Sequence, residues 1–564
     1  MRPYSTHSRS NNVSEADAWY RQTVWEHLLR TINHVPNKEF LVTVDSMGLE
    51  ARVTYSEAAQ KAQALSMSLF ELGVRRGDRV ALIMTNLVEC VYIYLSTLRL
   101  GAILVPINTW FKDHEVEYEL THSGARHLIL LDTFRQIDFT KILANICPEW
   151  RASKPGALFS SRLPDLRNIV VLQRDSKGRE NTFRFQNAYN LSALLDRDTN
   201  SPFDPAFLAC LNSVTPLDVA AIMYTSGSSG FPKGAMLEQW GLITASLLLG
   251  RRLEFFEHDK WFGAFPFFHV GGSVIGMMTT LAARATLVFT ECHDAAFEVT
   301  LLERENCKFL AAVAAVVLDQ LAILEKEDRT ISVSTMMVNQ LPDDTTQIRR
   351  RFGTTIFLKQ YGLTEGYGRN SSTSPQDPVD LRVNTCGRVL DGIELRVINS
   401  ETGNAVPTGE VGEALLKGLV MRGYFRPPET AAPAIDSEGW LHTQDLVSVD
   451  EDGFISYAGR LKAMLKVGGE NVAAEEVEQC IRALPPVFDC CVVPIRDTRK
   501  GHLPLAYVSL RAGETLTADE IRSWCESRLA RFKVPVKVEF LDALPLLGNN
   551  KVDRTALRAR ADSL

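Results

Sequence analysis

The hydrophobic pattern changes repeatedly between helical periodicity and short apolar runs. Residues 56–73 carry apolar side chains at helical spacing and end at Gly73, which predicts an amphipathic helix. Residues 79–84 form a short apolar run of the kind found in buried strands. The same alternation predicts further helices at 88–100 and 113–122 and further strands at 102–106 and 127–131. Helices of this length between short apolar strands are typical of a parallel α/β sheet.

Two regions depart from that pattern. Residues 148–200 are polar and rich in Arg, Asp, Asn and Ser, so we expect a surface excursion without catalytic residues before the pattern resumes at Asp218. Within residues 393–418, apolar side chains alternate with polar ones and a Gly/Pro-rich turn follows. This alternation predicts antiparallel strands, as a small barrel or a third sheet.

The last hundred residues have the pattern of a compact α+β domain. We expect helices at 473–484 and 518–532 and strands at 489–495, 506–510 and 536–541. Thr517 and Glu520 form a capping-box pattern at the start of the second helix. The predicted fold is therefore α/β, with a large N-terminal domain of layered sheets, a small β-barrel-like sheet, and a smaller C-terminal α+β domain.

The composition is that of an ordinary globular protein, with 45% hydrophobic and 23% charged residues in a chain of 564. That length allows two or more domains. The net charge of −7 does not favour nucleic-acid binding, which usually requires a basic surface. No nucleic-acid partner is therefore expected.

Cysteine usage and hydropathy indicate a cytoplasmic protein. The 10 cysteines are scattered without a CxxC pair, which predicts reduced thiols rather than a disulfide framework. Residues 1–20 are polar and carry Glu15 and Asp17, unlike a signal peptide. Apolar stretches such as residues 309–318 are too short to cross a bilayer, so no transmembrane segment is expected.

A loop rich in glycine and hydroxyl groups follows the apolar strand predicted at 219–224. Its candidate phosphate-binding residues are Thr225, Ser226, Gly227, Ser228, Ser229, Gly230 and Lys233. Glycines let the backbone approach an anion, the hydroxyls donate hydrogen bonds, and a helix predicted from about Ala235 favours the same anion. The spacing differs from the Walker loop, because Lys233 is followed by glycine. The alternative is an ordinary Gly/Ser surface turn.

A second candidate site lies at Gln360-Tyr361-Gly362-Leu363-Thr364-Glu365, after a strand predicted at 354–358. A carboxylate that follows a hydroxyl at the end of a strand suits Mg²⁺, which takes one or two protein oxygens together with phosphate and water. Taken alone, this string is more often a structural turn.

The phosphate-binding loop resembles the signature of the adenylate-forming superfamily, which includes acyl-CoA synthetases, luciferases and nonribosomal-peptide adenylation domains. Further motifs occur in the order expected for that family, over residues 25–558. They are Phe265–Gly272, Gln360–Glu365, Gly439–Asp445, Gly459–Asn471 and Pro545–Arg554. The ordered set makes the resemblance highly specific.

The resemblance implies a role for each matching residue. Tyr361 stacks on adenine, Thr364 contacts phosphate, Glu365 binds Mg²⁺, Asp445 holds the ribose hydroxyls, Arg460 contacts the ribose or phosphate, and Lys551 is the catalytic lysine. Gln444 and Asn550 stand where the family usually has glycine.

The family's inter-domain hinge corresponds to Lys462, which divides the chain into a large domain, 1–461, and a small domain, 462–564. By the same resemblance Gly468, Gly469 and Glu470 line the coenzyme A channel. His269, Gly271 and Asn339 fall where the family lines its acyl pocket, and His269 has a gating role or is a satisfied core residue. Bulky residues near Asn339 replace a small-residue stretch of the family.

The predicted protein is thus an AMP-forming acid–CoA ligase that uses ATP, Mg²⁺ and coenzyme A. It joins a carboxylic acid to AMP, releases pyrophosphate, and transfers the acyl group to coenzyme A. The aromatic residues near His269 favour an apolar acid, whether fatty, aromatic or alicyclic. Two alternatives stay open: an acyl-AMP ligase or stand-alone adenylation domain that loads a separate carrier protein, and a binding protein without catalysis. A homodimer is also open.

Overall fold

A computed structural model describes most of the chain. The described residues are 21–174, 183–199, 203–225, 232–338, 345–427, 433–461, 464–467, 470–497, 501–529, 531–547 and 551–563. They form two compact units: Met1–Glu394 with Lys417–Ile435, and Leu395–Leu416 with Asp436–Leu564. The predicted domain boundary between residues 461 and 462 stays a prediction, because Lys462 lies outside the described residues.

The secondary structure alternates along both units. In chain order the strands are β1 (Glu39–Val44), β2 (Glu50–Thr54), β3 (Arg79–Ile83), β4 (Ile103–Pro106), β5 (His127–Leu131), β6 (Thr133–Phe134), β7 (Ile137–Asp138), β8 (Asn168–Leu172), β9 (Tyr189–Asn190), β10 (Val219–Thr225), β11 (Lys233–Glu238), β12 (Lys260–Gly263), β13 (Thr286–Thr290), β14 (Phe309–Ala311), β15 (Thr335–Met337), β16 (Ile356–Leu358), β17 (Gln360–Tyr361), β18 (Ser371–Ser372), β19 (Arg388–Val389), β20 (Ile393–Ile398), β21 (Gly412–Gly418), β22 (Leu441–Val449), β23 (Ile455–Arg460), β24 (Met464–Val467), β25 (Glu470–Ala473), β26 (Val487–Asp497), β27 (Gly501–Leu510) and β28 (Lys537–Phe540). The α-helices are α1 (Val24–His34), α2 (Tyr55–Glu71), α3 (Val88–Arg99), α4 (Asp113–Ser123), α5 (Phe139–Ile146), α6 (Leu191–Leu195), α7 (Pro205–Ser213), α8 (Gln239–Leu253), α9 (Thr279–Ala283), α10 (Ala295–Arg304), α11 (Ala314–Lys326), α12 (Thr346–Phe352), α13 (Val379–Asn384), α14 (Ala474–Arg482), α15 (Ala518–Glu526) and α16 (Arg554–Asp562).

The larger unit contains two seven-stranded sheets with helices between their strands. One has the order β16-β15-β14-β12-β13-β1-β2, and the other has the order β11-β10-β4-β3-β5-β8-β9. In each sheet the inner strands are parallel and one edge strand, β2 or β11, is antiparallel to its neighbour. The α/β alternation predicted from residue 54 onward is confirmed.

Hydrogen bonds at the carboxyl ends of the strands join the two sheets. Asn86, which follows β3, donates from Nδ2 to the Phe265 carbonyl (3.0 Å) and accepts the Phe267 amide at Oδ1 (2.8 Å). Tyr94 on α3 donates to the Phe267 carbonyl at 2.7 Å. The aromatic segment after β12, residues 265–268, is therefore held in place by both sheets. This edge is where open α/β sheets usually bind ligands.

The interpretation of residues 148–200 as a surface excursion is wrong in part. Strand β8 lies within it, pairs in parallel with β5 along its whole length, and is buried at every position. Trp150 is also buried. The polar residues around Asn168–Leu172 dominate the composition of the segment, so the run of four apolar residues in this strand was mistaken for part of a loop.

The smaller unit contains antiparallel β-structure and an α+β region, as predicted. A four-stranded sheet has the order β20-β21-β22-β23, and a second sheet has the order β25-β24-β27-β26 with β28 paired in parallel to β27. Cys490 and Cys491 lie side by side on β26 and contribute to two different apolar clusters. Adjacent residues of a strand face opposite sides of the sheet, so these two thiols line separate cores.

The predicted capping box of α15 is confirmed, because Thr517 Oγ1 accepts the Glu520 amide and the Glu520 side chain accepts the Thr517 amide. The predicted end of that helix at residue 532 is wrong. The helix stops at Glu526, where the Ser527 hydroxyl donates to the Trp524 carbonyl at 2.7 Å and so competes with the helical hydrogen bonds. All ten cysteines of the chain are free thiols. Among the described helices, none combines the length and the apolar character that a membrane span requires.

Candidate active site

The candidate phosphate-binding loop joins two antiparallel strands. Strand β10 pairs with β11 from Val219↔Glu238 to Thr225↔Lys233, and the following helix, α8, begins only at Gln239. The expected helix from about Ala235 is therefore wrong, and so is its contribution to anion binding. Residues 233–238 have good helix formers among them, but β10 offers an unpaired edge, and pairing along that edge overrides local propensity.

Three side chains hold the two ends of this loop. The Tyr118 hydroxyl donates to the Pro232 carbonyl at 3.0 Å, and the Tyr224 hydroxyl hydrogen-bonds to His122 Nδ1 at 2.8 Å. Burial raises the pKa of Tyr224 and lowers the pKa of His122, so the phenol stays a donor and the imidazole stays neutral near pH 7. The loop therefore starts and ends at fixed points.

A segment at residues 421–425 connects the loop to the predicted metal-binding turn. Its backbone pairs with β11 through the bonds Phe425 N to Gly234 O (2.8 Å) and Met236 N to Gly423 O (3.0 Å). At its start, the Met421 amide donates to the Glu365 carbonyl at 2.6 Å. The segment was not identified from the sequence, since its only signal is a glycine before two aromatic residues.

Tyr424 in this segment brings two predicted site residues together. Its hydroxyl donates to Glu365 Oε1 at 2.6 Å, and Lys233 Nζ lies 5.2 Å from the centre of its ring. The Lys233 and Glu365 side chains are both half-buried. An ammonium group that would attract phosphate and a carboxylate that would attract a cation therefore share one aromatic neighbour.

The turn around Glu365 has a strained and well-packed backbone. Thr364–Gly366 form one 3₁₀ turn, and Tyr367 follows with φ 59°, in the left-handed region. The buried Tyr367 hydroxyl accepts the Glu238 amide at 3.1 Å. Its ring fills the space beside Gly241, where a Cβ would lie 2.1 Å from Tyr367 Cζ. Such strain persists only where surrounding structure enforces it, and it is common at functional sites.

The aromatic segment after β12 ends in a π-helix, Gly271–Met278. A Cβ at Gly272 would lie 2.3 Å from the Pro266 carbonyl, so only glycine fits there. His269 is exposed, and its Nδ1 accepts the Gly271 amide at 3.2 Å. The alternative that His269 is a core residue is therefore wrong, and its gating role stays a prediction. Turns of π-helix are frequent at functional sites.

In the smaller unit, the predicted ribose-binding carboxylate has a cationic partner. Asp445 on β22 lies opposite Arg460 on β23, and the two side chains form an ion pair with 2.6 Å between Arg460 Nε and Asp445 Oδ1. The Asp445 side chain is only 2% exposed, whereas that of Arg460 is 58% exposed. Burial, together with the charge of Asp445, raises the pKa of Tyr457 to about 12. The two predicted residues thus form one polar site.

Gln444 explains why glycine is common at this position of the motif. Its φ is 63°, in the left-handed region that favours glycine. The pairing of β21 with β22 is interrupted there, between Leu415↔His442 and Glu413↔Leu446. Glu413 Oε1 accepts the Gln444 amide at 3.2 Å, which supports the bulge. The bulge precedes Asp445 directly and so sets where that carboxylate points.

Lys551 is exposed in the smaller unit, where the backbone on either side of residues 548–550 is paired. This pairing is made by a bridge between Leu546 and Val552 and by the Leu547 amide, which donates to the Lys551 carbonyl at 2.7 Å. Beyond it, Asp553 caps helix α16 and Arg554 donates to the buried Glu478 at 2.7 Å. The Asp-Arg pair therefore anchors the chain immediately after the lysine.

Comparison with known proteins identifies the family. A family model described as AMP-binding enzyme matches residues 28–425, and one described as AMP-binding enzyme C-terminal domain matches residues 476–551. The chain belongs to the AMP-binding enzyme family. It is an AMP-forming ligase of the adenylate-forming superfamily, as the motifs predicted.

Two relatives and one solved structure extend the match over nearly the whole chain. The putative acyl-CoA synthetase YngI of Bacillus subtilis (strain 168) is 28% identical over 543 residues, covering 95% of this chain and 97% of that protein. The mitochondrial medium-chain acyl-CoA ligase ACSF2 of Homo sapiens is 28% identical over 554 residues, covering 96% and 88%. The crystal structure of ATP-bound MatB from Rhodopseudomonas palustris has a TM-score of 0.75 at 25% identity, covering 96% and 99%.

ATP is bound in the MatB structure, and the relatives are named as acyl-CoA synthetases and ligases, so ATP and coenzyme A are confirmed as co-substrates for the family and Mg²⁺ stays a prediction. The residues around Glu365 fit the metal. In the part of the chain that the structure describes, Glu365 has a neutral hydroxyl partner and no cationic one. No group of three or more His, Cys, Asp or Glu residues in that part could hold a metal alone. Glu365 would therefore hold Mg²⁺ together with nucleotide oxygens and water.

Several predicted site residues lie outside the described residues, and their roles stay predictions. These are Ser226, Gly227, Ser228, Ser229, Gly230, Asn339, Lys462, Gly468 and Gly469. The backbone of Glu470 begins β25, but its side chain is not described. Thr225 ends β10, and its hydroxyl lies 3.4 Å from the Lys233 carbonyl. Tyr361 is buried on β17, and Gly271 begins the π-helix.

Proposed function

We propose that this ligase joins an apolar carboxylic acid to AMP and then transfers the acyl group to coenzyme A. The observation that carries the proposal is the cluster of Lys233, Tyr424 and Glu365, because it places one cationic and one anionic group beside the phosphate-binding hairpin. The relatives named for acyl-CoA synthesis support coenzyme A as the acceptor.

In the first step, a carboxylate oxygen of the acid attacks the α-phosphorus of ATP, and pyrophosphate leaves. The reactants are all anionic, so the enzyme must align them and offset their charge. We assign the phosphates to Lys233, Thr225, Thr364 and the hairpin loop. Magnesium, held at Glu365, supplies further charge compensation when it is bound.

The remaining nucleotide contacts follow from the chemistry of each side chain. We assign adenine to the buried ring of Tyr361 and the ribose hydroxyls to Asp445, whose carboxylate can accept from two vicinal donors. Arg460 lies against Asp445 and is exposed enough to reach a ribose or phosphate oxygen. Lys551 is also exposed, and we assign it the charge that develops between the carboxylate and the α-phosphate.

In the second step, the thiol of coenzyme A attacks the acyl carbonyl and AMP leaves. We propose that the segment 462–564 moves about Lys462, so that Lys551 leaves the reacting atoms and Gly468, Gly469 and Glu470 approach the thiol. Hinges of this kind often consist of a few residues. This part of the proposal rests on the resemblance of the motifs.

The acid we propose has an apolar body. The aromatic segment at residues 265–268 lies at the carboxyl ends of the strands. The ring centres of Phe267 and Phe289 are 5.0 Å apart. His269 lies at the end of this segment and is exposed, and we assign it the gating role. The name of the human relative, a medium-chain acyl-CoA ligase, supports the same class.

The direct test incubates the enzyme with a broad acid panel, ATP, Mg²⁺ and coenzyme A, with mass detection of products. We expect acyl-CoA, AMP and pyrophosphate in equal amounts. Without coenzyme A, the acyl-adenylate should accumulate on the enzyme. If acyl-adenylate forms but coenzyme A never accepts the acyl group, the acceptor is wrong. If no acid releases pyrophosphate, the proposed function is wrong.

A further inference from the structure

Arg369 is a fully buried arginine close to the proposed acid site. Its side chain is 1% exposed, although guanidinium groups rarely leave water without a partner. It follows the left-handed residues Tyr367 and Gly368, just after the turn that carries Glu365. The connection between β17 and β18 is tight, because a Cβ at Gly362 would lie 2.8 Å from the Arg369 Cα.

The guanidinium of Arg369 has almost no hydrogen bonds. Within the described residues, Nε and Nη2 have no acceptor, and Nη1 faces only Met337 Sδ at 4.0 Å. A thioether is a weak acceptor. Burial lowers the pKa of Arg369 well below its usual value, yet arginine keeps its proton in proteins, so a positive charge remains without a counter-charge.

Other buried arginines of this unit are stabilised differently. Arg99 Nη1 donates to Ser66 Oγ at 3.0 Å, and its guanidinium carbon lies 4.3 Å from the centre of the Trp25 ring. In the described part of the chain, Arg99 Nε and the Nε and Nη1 atoms of Arg382 also lack a hydrogen-bond partner, but Arg382 is 8% exposed and so closer to water than Arg369. Among the described residues, Arg369 has neither an aromatic ring nor a hydroxyl group as a partner. It is also only 1% exposed. Ligand binding would explain this difference.

The position of Arg369 indicates which ligand. Met337 ends β15, in register with Ala311 on β14 and Leu358 on β16, at the carboxyl edge of the parallel strands. The neighbouring Gly368 packs on the π-helix, because a Cβ there would lie 3.1 Å from Ile275 Cδ1. Arg369 therefore lies between the strand ends and the aromatic segment that we assign to the acid.

The anion is not a phosphate of ATP in this arrangement. The groups assigned to the phosphates and to magnesium, Lys233 and Glu365, meet at Tyr424, whereas Arg369 reaches β15. The reacting carboxylate is assigned to Lys551. A carboxylate elsewhere on the acid is the remaining anionic group, and arginine binds carboxylates with two parallel hydrogen bonds.

We propose that Arg369 binds a second carboxylate of the acid, so that this enzyme activates dicarboxylic acids with an apolar body. The proposal rests on the proposed function and specifies its substrate class. A site built to hydrogen-bond a polar group rejects an analogue that lacks the group, because its own polar atoms are then left unpaired.

The test compares straight-chain monocarboxylic acids with α,ω-dicarboxylic acids of equal carbon number, and benzoic acid with the benzenedicarboxylic acids. The wild-type enzyme should favour the best diacid over its matched monoacid by at least about 100-fold in kcat/KM for pyrophosphate release. In Arg369→Met that preference should disappear, while the rate with monoacids is kept or raised. The melting temperature should not fall, because methionine replaces an unpaired buried charge.

Arg99→Met is the matched control. It should lower the melting temperature and leave the acid preference unchanged. A binding measurement without ATP avoids dependence on catalysis: diacids should raise the wild-type melting temperature and monoacids should not.

A wild-type preference for monoacids would overturn the proposal while leaving the proposed function intact. Equal slowing of both acid classes in Arg369→Met, or a large loss of melting temperature, would overturn it as well, since the arginine would then be structural. A wild-type enzyme that activates no acid in the panel would overturn the proposed function itself.

Discussion

Two carboxylates that the motifs assign to the nucleotide have opposite surroundings. Glu365, in the larger unit, is half-buried and hydrogen-bonded to the neutral Tyr424 hydroxyl. Asp445, in the smaller unit, is buried and paired with Arg460. A carboxylate whose partner is a neutral hydroxyl is suited to bind a cation. A carboxylate that is already paired with an arginine is suited to bind neutral hydroxyl groups. The difference supports Mg²⁺ at Glu365 and ribose at Asp445.

The largest expected effect comes from Glu365→Gln. Adenylation should fall by about 10²–10³-fold, because charge compensation of the phosphates is lost in the transition state. The measurement is acid-dependent exchange of labelled pyrophosphate into ATP, repeated at increasing Mg²⁺. Full exchange at ordinary Mg²⁺ would contradict the assignment of the metal.

Glu305→Gln is the control for removing a carboxylate from the same unit. Burial opposes ionisation, but hydrogen bonds from Lys260 and Arg52 lower the pKa of Glu305 to about 2. Its contribution to stability is therefore present above the usual pKa of 4.5 and is lost as the pH falls toward 2. Glu305→Gln should lower the free energy of unfolding at pH 7, by an amount that shrinks in acid, and leave pyrophosphate exchange intact.

A smaller effect is expected for Asp445→Asn. Hydrogen bonds to charged groups contribute about 1.5–3 kcal/mol, so the KM for ATP should rise by about 10- to 100-fold. The wild-type enzyme should discriminate against 2′-deoxy-ATP and 3′-deoxy-ATP, and the variant should discriminate much less. If both enzymes treat the three nucleotides alike, Asp445 does not bind the ribose.

The smallest effect is expected for Tyr424→Phe, which keeps the ring beside Lys233 and removes only the hydrogen bond to Glu365. Adenylation should slow by about tenfold, the low end of the range for one hydrogen bond to a charged group, because Glu365 keeps its carboxylate. Tyr118→Phe is the matched variant at the other end of the hairpin. An unchanged Mg²⁺ dependence in Tyr424→Phe would show that the hydroxyl does not orient the carboxylate.

The sequence predicted the parts of this site that local patterns determine. The strand at residues 219–224 was predicted from its apolar run, and Glu365 was singled out by its motif, because burial and chemistry leave direct marks on residue type. The hairpin after residue 225 was mistaken for the start of a helix, since strand pairing depends on a partner elsewhere in the chain. The buried strand Asn168–Leu172 was missed because the polar residues around it dominate the composition of that segment.

Tertiary contacts also determine which residues complete the site. Tyr424 joins Lys233 to Glu365 only because residues 421–425 pair with β11. Arg369 looks like an ordinary surface arginine in the sequence, and its burial becomes visible only in the fold. Left-handed backbone at Gln444 is likewise a product of the bulge between β21 and β22.

The most direct test of the account separates the two half-reactions in Lys551→Ala. With acid, ATP and Mg²⁺, the exchange of labelled pyrophosphate should fall by about 10²–10³-fold. With synthetic acyl-adenylate and coenzyme A, the same variant should still form acyl-CoA at close to the wild-type rate. Normal pyrophosphate exchange in Lys551→Ala would contradict the central claim, which is that this lysine acts with the Glu365 cluster on one ATP.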